Sequence, residues 1–306
     1  MSLRLTILGC HSATPRKNAF PTAQYLEINN CHFLIDCGEG TQRQMRKYKV
    51  GFSKINYIFI SHLHGDHFFG LVGLLSTFGI LNREKEIHIY GPKGIKEVVE
   101  LSLKIAQSYS KFPIIFHELS SKKSELIFED DKVEVYTIPL KHRVYTNGFL
   151  FREKTKLRKI NITATQHYPE IEKCDYQKIK EGNDYLLSNG EVVSNSKLTF
   201  DPPKPLSYAY CSDTSYLPKL KELISGVDVL YHESTFLKDK EELAHKTGHS
   251  TAAQAAQLAK DSNVHQLVLG HYSSRYQNIE LFKEEAQEYF ENAHLAEPGK
   301  IFEISA

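Results

Sequence analysis

The chain has 306 residues, 41% of them hydrophobic and 25% charged, with 38 Lys and Arg against 37 Asp and Glu for a formal net charge of +1. That length buries an ample core as one large two-layer domain or as two modest ones, and near-neutrality excludes a global field for a polyanion, so any nucleic-acid contact must be local. The cysteines Cys10, Cys31, Cys37, Cys174 and Cys211 are odd in number and lack paired metal-type spacing, which argues against a disulfide framework and for a reducing, cytoplasmic setting.

In chain order, LRLTILG, AQYLEIN and HFLIDCG are expected strands, followed by the helix GTQRQMRKYK. Next come the strand INYIFIS, the helix FFGLVGLLSTFGI, the strand EIHIYG, the helix KGIKEVVELSLKIAQSY and the strand DKVEVYTIPL. After a polar interval the order resumes with the strands LSYAYCS and VDVLYHES, the helix STAAQAAQLAKDS, the strand HQLVLGH and the helix IELFKEEAQEYFENA. This mixture of helices and strands in both halves predicts an α/β arrangement of two packed mixed sheets flanked by helices. The apolar stretch in MSLRLTILGCHSATP is too short for a signal peptide, and no run of about 18 apolar residues is present to span a bilayer. A soluble protein with no membrane partner is expected.

Residues 151–198 break the pattern, alternating charged and polar side chains with few contiguous apolar ones. That is long for a connection in a compact domain and predicts an inserted arm within a single domain over 1–306. Lys154, Lys156, Arg158 and Lys159 make its first part basic. A solvated hairpin face carries the same pattern.

SHLHGDH follows the apolar run INYIFI and sets His62, His64, Asp66 and His67 in a loop at a strand end. Imidazole nitrogens and carboxylate oxygens suit Zn²⁺, and four such donors so close together exceed what one tetrahedral site takes when further ligands are still to come. Two adjacent ions are expected. Further donors end other strands: His142 after YTIPLK, Asp213 after LSYAYCS and His271 after LVLG. A sheet gathering its strand ends at one edge brings these to the His62 loop.

The SHLHGDH cluster resembles the signature of the metallo-β-lactamase superfamily. With LTILGCHSATP, FLIDCGEGTQRQM, IYGPKG, IPLKHRV, YCSDTSY, LYHEST, KTGHSTAAQAA and LGHYSSRY in order, the chain resembles the ribonuclease Z family, which trims the three-prime end of precursor tRNA. The resemblance implies a four-layer αββα metallo-β-lactamase fold and two Zn²⁺ per subunit. It implies one zinc on His62, His64 and His142, the other on Asp66, His67 and His271, and Asp213 bridging them. Each ion keeps an open position for shared solvent, and such a pair activates water for in-line attack on a phosphodiester. Asp66 is the natural base. His249 in KTGHST is the candidate acid, with His232 or Glu233 as orienting partner; Ser250 is the expected cap of the helix that follows.

Folded RNA is held by phosphate contacts that read shape. Candidates are Arg43, Arg46, Lys47 and Lys49 after GEG, Arg275 in HYSSRY, and the basic stem of the arm. The family resemblance makes residues 151–198 a tRNA-gripping arm and the active unit a homodimer, with FFGLVGLLSTFGI either an interface or a buried core helix. Two departures stand out. The arm has only Gly182, Gly190 and Pro169 where the family has a Gly-Pro-rich tip, and the family's N-terminal proline-lysine-arginine loop reads PRKNAFPTA. Two other functions fit the fold: hydrolysis of small esters, thioesters or lactones, against which the arm, GEGTQRQ and HYSSRY count, and a noncatalytic RNA-binding scaffold, against which the full ligand set counts.

Overall fold

In HFLID the apolar residues serve both faces of one strand: Phe33 and Ile35 join a core between two sheets, while Leu34 joins a second core under helices. Phe59 divides from Ile58 and Ile60 in the same way. A strand apolar on both faces has to be covered on both, and the coverage produces layers. The computed structural model describes residues 2–14, 16–108 and 110–305. Pro15, at the head of PRKNAFPTA, and Tyr109, the last residue of the expected helix KGIKEVVELSLKIAQSY, lie outside the described residues.

The chain forms β1 (Ser2–Gly9), β2 (Ala23–Ile28), β3 (Cys31–Ile35), α1 (Thr41–Lys47), β4 (Tyr57–Phe59), α2 (Gly65–Phe68), α3 (Gly70–Ile80), β5 (Ile87–Pro92), α4 (Ile95–Ile105) and β6 (Ile114–Leu119). There follow β7 (Leu126–Glu129), β8 (Val133–Pro139) and β9 (Asn147–Glu153). A run of short elements comes next: β10 (Lys159–Ile160), α5 (Ile162–Thr165), α6 (Tyr176–Lys180), β11 (Tyr185–Leu186), β12 (Val192–Val193), α7 (Asn195–Leu198) and β13 (Thr199–Phe200). The chain ends with β14 (Ser207–Cys211), β15 (Val229–Glu233), α8 (Glu241–Thr247), α9 (Ala252–Asp261), β16 (Gln266–Gly270), α10 (Glu280–Gln287), β17 (Ala293–Leu295) and β18 (Ile301–Ser305).

One seven-stranded sheet has the order β18-β1-β2-β3-β4-β5-β6 and the other the order β17-β16-β15-β14-β9-β8-β7. Both are mixed: β3 to β6 and β14 to β17 run parallel, joined to antiparallel partners at β2 and β9. Parallel neighbours need crossovers, and α1, α3, α4, α9 and α10 lie in five of the six. In α3, Leu71, Leu74, Leu75 and Phe78 are buried, each contributing about 1.5–3 kcal/mol. FFGLVGLLSTFGI is therefore a core helix, although Phe69, Ile80 and Leu81 at its ends stay exposed.

Three local expectations change. Asp66 and His67 sit in the short helix α2, not in a loop, because His64 O accepts from His67 N at 3.0 Å. Thr251, not Ser250, caps α9: its hydroxyl accepts from Gln254 N at 3.2 Å while Gln254 Oε1 accepts from Thr251 N at 3.1 Å, a reciprocal box that Ser250 cannot make. Finally, α10 stops at Gln287 instead of running through to residue 293, since Tyr289 N and Phe290 N both close back on Ala286 O. Thr251→Ala is expected to lower stability by about 1 kcal/mol in a denaturant melt, with an unchanged m-value.

Residues Glu153–Pro205 cluster as a compact unit distinct from Ser2–Arg152 with Leu206–Ser305. Its polar sequence conceals a small core of Ile160, Ile171, Ile179, Leu187, Val193 and Leu198. Buried Asn195 stitches it, donating from Nδ2 to Ile179 O at 2.6 Å and to Asn183 O at 2.9 Å. Phe151 and Arg152 pair in β9 within the larger unit. Among the described residues no helix is long and apolar enough to cross a membrane.

Candidate metal centre

Six strand ends meet at one edge of the larger unit. Asp36 follows β3, His62 lies just beyond β4, His142 beyond β8 and Asp213 beyond β14; Glu233 closes β15 and His271 follows β16. Carboxyl ends of parallel strands are where such sheets present their sites. Close approach of the chain locks α2 against this edge, since a Cβ on Gly38 would lie 2.4 Å from Asp66 O.

The donors form two sets around one carboxylate. Asp213 Oδ2 lies 3.6 Å from His62 Nε2 and 3.8 Å from His142 Nε2, and His64 Nδ1 is 3.0 and 3.3 Å from the same two nitrogens. Asp213 Oδ1 lies 3.4 Å from His67 Nε2 and 3.2 Å from His271 Nε2, and Asp66 Oδ2 is 3.5 and 3.3 Å from those nitrogens. All seven residues expected from the sequence thus converge, and each set presents donors within 4.8 Å of one another.

Hydrogen bonds at the far side of each ring decide which nitrogen is bare. His142 donates from Nδ1 to Gly248 O at 2.8 Å. Gly248 adopts a φ of +77°, and a Cβ there would lie 3.0 Å from that Nδ1. His67 donates from Nδ1 to Asp36 Oδ2 at 2.7 Å. Thr235 Oγ1 donates to Glu233 Oε2 at 2.7 Å, so it accepts from His271 Nδ1 at 2.8 Å. Three Nε2 atoms are left facing Asp213 or Asp66, the edge that a metal-binding imidazole turns to its ion.

The electrostatics suit cations. Burial pushes the His62, His64 and His142 imidazoles below their ordinary value, which leaves them neutral. Burial acts the same way on His67, but the carboxylates of Asp213, Asp66 and Asp36 outweigh it and drive the ring well above the ordinary range. Asp213 resists the upward pull of burial because His271 and His67 hold it well below the usual carboxylate range. His67 Nε2 and Asp213 Oδ1 are buried without a hydrogen-bond partner. Orphaned donor atoms beside a concentration of carboxylates are what a bound divalent ion would satisfy. The site fits one.

Two of the nine non-glycine residues with positive φ among the described residues stand at this edge. Asp36 has φ +56° and His271 φ +63°, conformations costing about 1–3 kcal/mol for residues other than glycine. Bonds from Asp36 N to Phe59 O at 2.8 Å and from His271 N to Cys10 O at 2.7 Å hold them there.

Relatives similar over nearly the whole chain share a common name. A ribonuclease Z from Bacteroides fragilis is 44% identical over 292 residues, covering 95% of this chain and 96% of the relative. Another from Cytophaga hutchinsonii is 45% identical over 306 residues, covering 100% and 97%. The chain belongs to the ribonuclease Z family. A solved structure of human tRNase Z, short form, is similar with a TM-score of 0.70 and 27% identity over 98% of both chains. Residues 3–296 also match the family model described as Anti-Pycsar protein Apyc1, so the chain falls within the family that model describes as well. The two sheets flanked by helices are the metallo-β-lactamase fold, and ribonuclease Z of that fold implies a divalent metal.

Around the donors lies a cleft of about 430 Å³, lined by His64, Asp66, Asp213, Phe236, His249 and Arg275 among others. His249 Nδ1 sits 2.9 Å from Glu233 Oε1. Glu233 is buried and also accepts from Thr214 N, Thr235 N and Ser250 N. Glu233 is thus the partner of His249, whereas His232 turns away, its Nδ1 2.6 Å from Glu233 O. The α9 terminus is satisfied by its cap and by Glu285, which accepts from Ala253 N at 2.9 Å, so it offers no open anion site.

Among the candidate RNA contacts, Arg275 lines the cleft with its guanidinium 5.9 Å from the Phe236 ring. Arg43, Arg46 and Lys47 are exposed on α1, outside the cleft lining; Arg46 lies over Phe52 and Lys47 over Tyr48. Lys154, Lys156, Arg158 and Lys159 belong to the smaller unit, where Arg158 donates to Thr199 Oγ1 at 2.7 Å and pairs with Asp201. In the altered N-terminal loop, Arg16 donates to Tyr276 O at 3.2 Å and so ties that loop to HYSSRY.

Sequence reasoning passed over Asp36, Thr235 and Arg143, the last lining the cleft beside His142. Asp36→Asn is expected to weaken the binding of a divalent ion at His67 about 10–100-fold in a chelator competition, because the His67 ring loses its anchoring charge.

Proposed function

We propose that the protein is a zinc-dependent endoribonuclease that removes the three-prime trailer from precursor tRNA, leaving a three-prime hydroxyl on the tRNA. The observation that carries this reading is the division of Asp213, whose two oxygens face separate imidazole sets. His62, His64 and His142 would hold one Zn²⁺, Asp66, His67 and His271 the other, with Asp213 between them. When bound, the pair supplies water of lowered pKa and a clamp on the non-bridging oxygens of a phosphodiester.

Asp66 accepts the proton of the attacking water. Burial pulls its carboxyl up, but His67 and His271 hold it well below the usual range, so it is ionised and ready as a base. As water adds to phosphorus and the bond to the ribose three-prime oxygen breaks, His249 gives its proton to that oxygen. Glu233 and Thr235 hold the imidazoles of His249 and His271 in place. Arg275 offers phosphate contact in the cleft, while Arg43, Arg46, Lys47 and the unit carrying Lys154, Lys156, Arg158 and Lys159 grip the tRNA body. That unit is the tRNA exosite of a cytoplasmic homodimer.

Purified protein incubated with labelled precursor tRNA and a single-stranded RNA control is expected to cut the tRNA after its discriminator nucleotide. Dialysis against a chelator abolishes cleavage, zinc restores it, and Asp66→Ala stays inactive after zinc is added. Equal cutting of both RNAs would reject tRNA selectivity, and full activity in Asp66→Ala would remove that carboxylate from the chemistry.

A further inference from the structure

The His142 loop has a second side. Its backbone is pinned by Leu140 N to Thr146 O at 3.2 Å, Lys141 N to Thr214 Oγ1 at 3.1 Å and Ser215 N to Lys141 O at 2.8 Å. One side presents the imidazole to Asp213. The other walls a groove of about 550 Å³ that runs between the loop, Lys122 and Lys219. Arg143 lines both this groove and the metal cleft, so the two are continuous at its side chain.

The charge of this groove is one-sided. Lys122, Lys141, Arg143 and Lys219 line it, no carboxylate does, and all four are exposed. Among the described residues none of the four pairs with an acidic side chain. A groove over α4 shows the contrast, with Lys93, Lys96 and Lys104 set beside Glu97, Glu100 and Glu118. In a chain of net charge +1, four unpaired cations in one concavity form a local field that draws in a polyanion.

We infer that this groove binds the single-stranded RNA three-prime of the scissile phosphate, Lys122, Lys141, Arg143 and Lys219 together holding the phosphates of the first trailer nucleotides. This rests on the endoribonuclease reading and adds a substrate subsite to it. The strand passing through the metal cleft has a folded body on one side and a single-stranded trailer on the other. A concavity of about 550 Å³ is the size of a small-ligand site, which takes a nucleotide or two of single strand and not an A-form duplex. Cations tracking a backbone beside an aromatic ring, here Tyr145, are the usual means of holding single strands without reading their sequence.

The test uses two precursors with one tRNA body, one carrying a single-nucleotide trailer and the other a long unstructured trailer. Lengthening the trailer is expected to raise kcat/KM of the wild type, and Lys122→Gln with Lys219→Gln to shrink that gain roughly tenfold. The same pair should flatten the salt dependence of log kcat/KM for the long precursor by about 1.4, at about 0.7 for each single-strand phosphate contact. Circular dichroism and thermal melting of the double variant establish that it folds. Equal losses on both precursors, or an unchanged salt slope, overturn the inference. Wild-type protein that cuts neither precursor refutes the endoribonuclease reading, and the trailer subsite with it.

Discussion

Asp213→Ala is expected to cut kcat/KM on precursor tRNA by on the order of 10⁴-fold and to lower bound divalent metal to less than one ion per chain, against the two that the proposed pair predicts for the wild type. The carboxylate is buried, and its two oxygens each lie within 4 Å of imidazole nitrogens of a different set. Without it, His62, His64 and His142 keep three neutral donors, while Asp66, His67 and His271 keep one charge for a divalent ion. Asp213→Asn separates charge from volume: it preserves the packing and is expected to lose almost as much. Metal content by mass spectrometry of the native protein reads the first effect and cleavage of labelled tRNA the second. A variant that retains both ions but not activity would move Asp213 from metal binding to chemistry, and one that retains both would discard the dinuclear reading.

The sequence made this centre legible through a single physical regularity. A histidine or aspartate directly after an apolar strand has nowhere to pair in the sheet and is left at its edge. YTIPLKH, LSYAYCSD and LVLGH follow that rule, and the structure brings His142, Asp213 and His271 to the SHLHGDH cluster. HFLID follows the same rule, so Asp36 was open to discovery by the same signal. What hid it is that its partner, His67, lies 31 residues on, and only the β3–β4 pairing juxtaposes them. Thr235 was hidden differently, as one of two adjacent hydroxyls in HESTF. Its role comes from Glu233 fixing the direction of its proton.

The fold was readable where periodicity is strong and obscured where burial is partial. The expected strands and helices around both sheets are present, whereas β6 and β7, partly buried without alternation, carry a weak pattern. The unit from Glu153 to Pro205 shows the same limit: each core residue is isolated among polar neighbours, so no window of sequence displays Ile160, Ile179 and Leu198 as one cluster. Ser250 was a plausible cap by residue type alone. Thr251 took the position because Gln254 stands three residues on and completes the box.

His249→Ala is expected to lower kcat by about 10²–10⁴-fold with little change in KM and no loss of zinc. The last point decides its role, because Asp213, His249 and His271 also lie close enough together to hold an ion. Glu233 settles the expectation: it occupies His249 Nδ1 at 2.9 Å, whereas Asp213 Oδ2 is 4.0 Å from that nitrogen, beyond hydrogen-bond distance. Burial pulls the His249 pKa down, but the charge and hydrogen bond of Glu233, with Asp213 behind, raise it to about 9. A raised pKa keeps the imidazole protonated at neutral pH, and the acid is lost as pH rises through that value. The alkaline limb of the kcat profile therefore belongs near pH 9 or, because bound cations pull the ring down, below it. Glu233→Gln removes the principal countercharge and should move that limb to lower pH, while His249→Ala should erase it and respond to added imidazole. A limb that stays in place in Glu233→Gln would assign it to another group, and zinc lost from His249→Ala would make the residue a ligand.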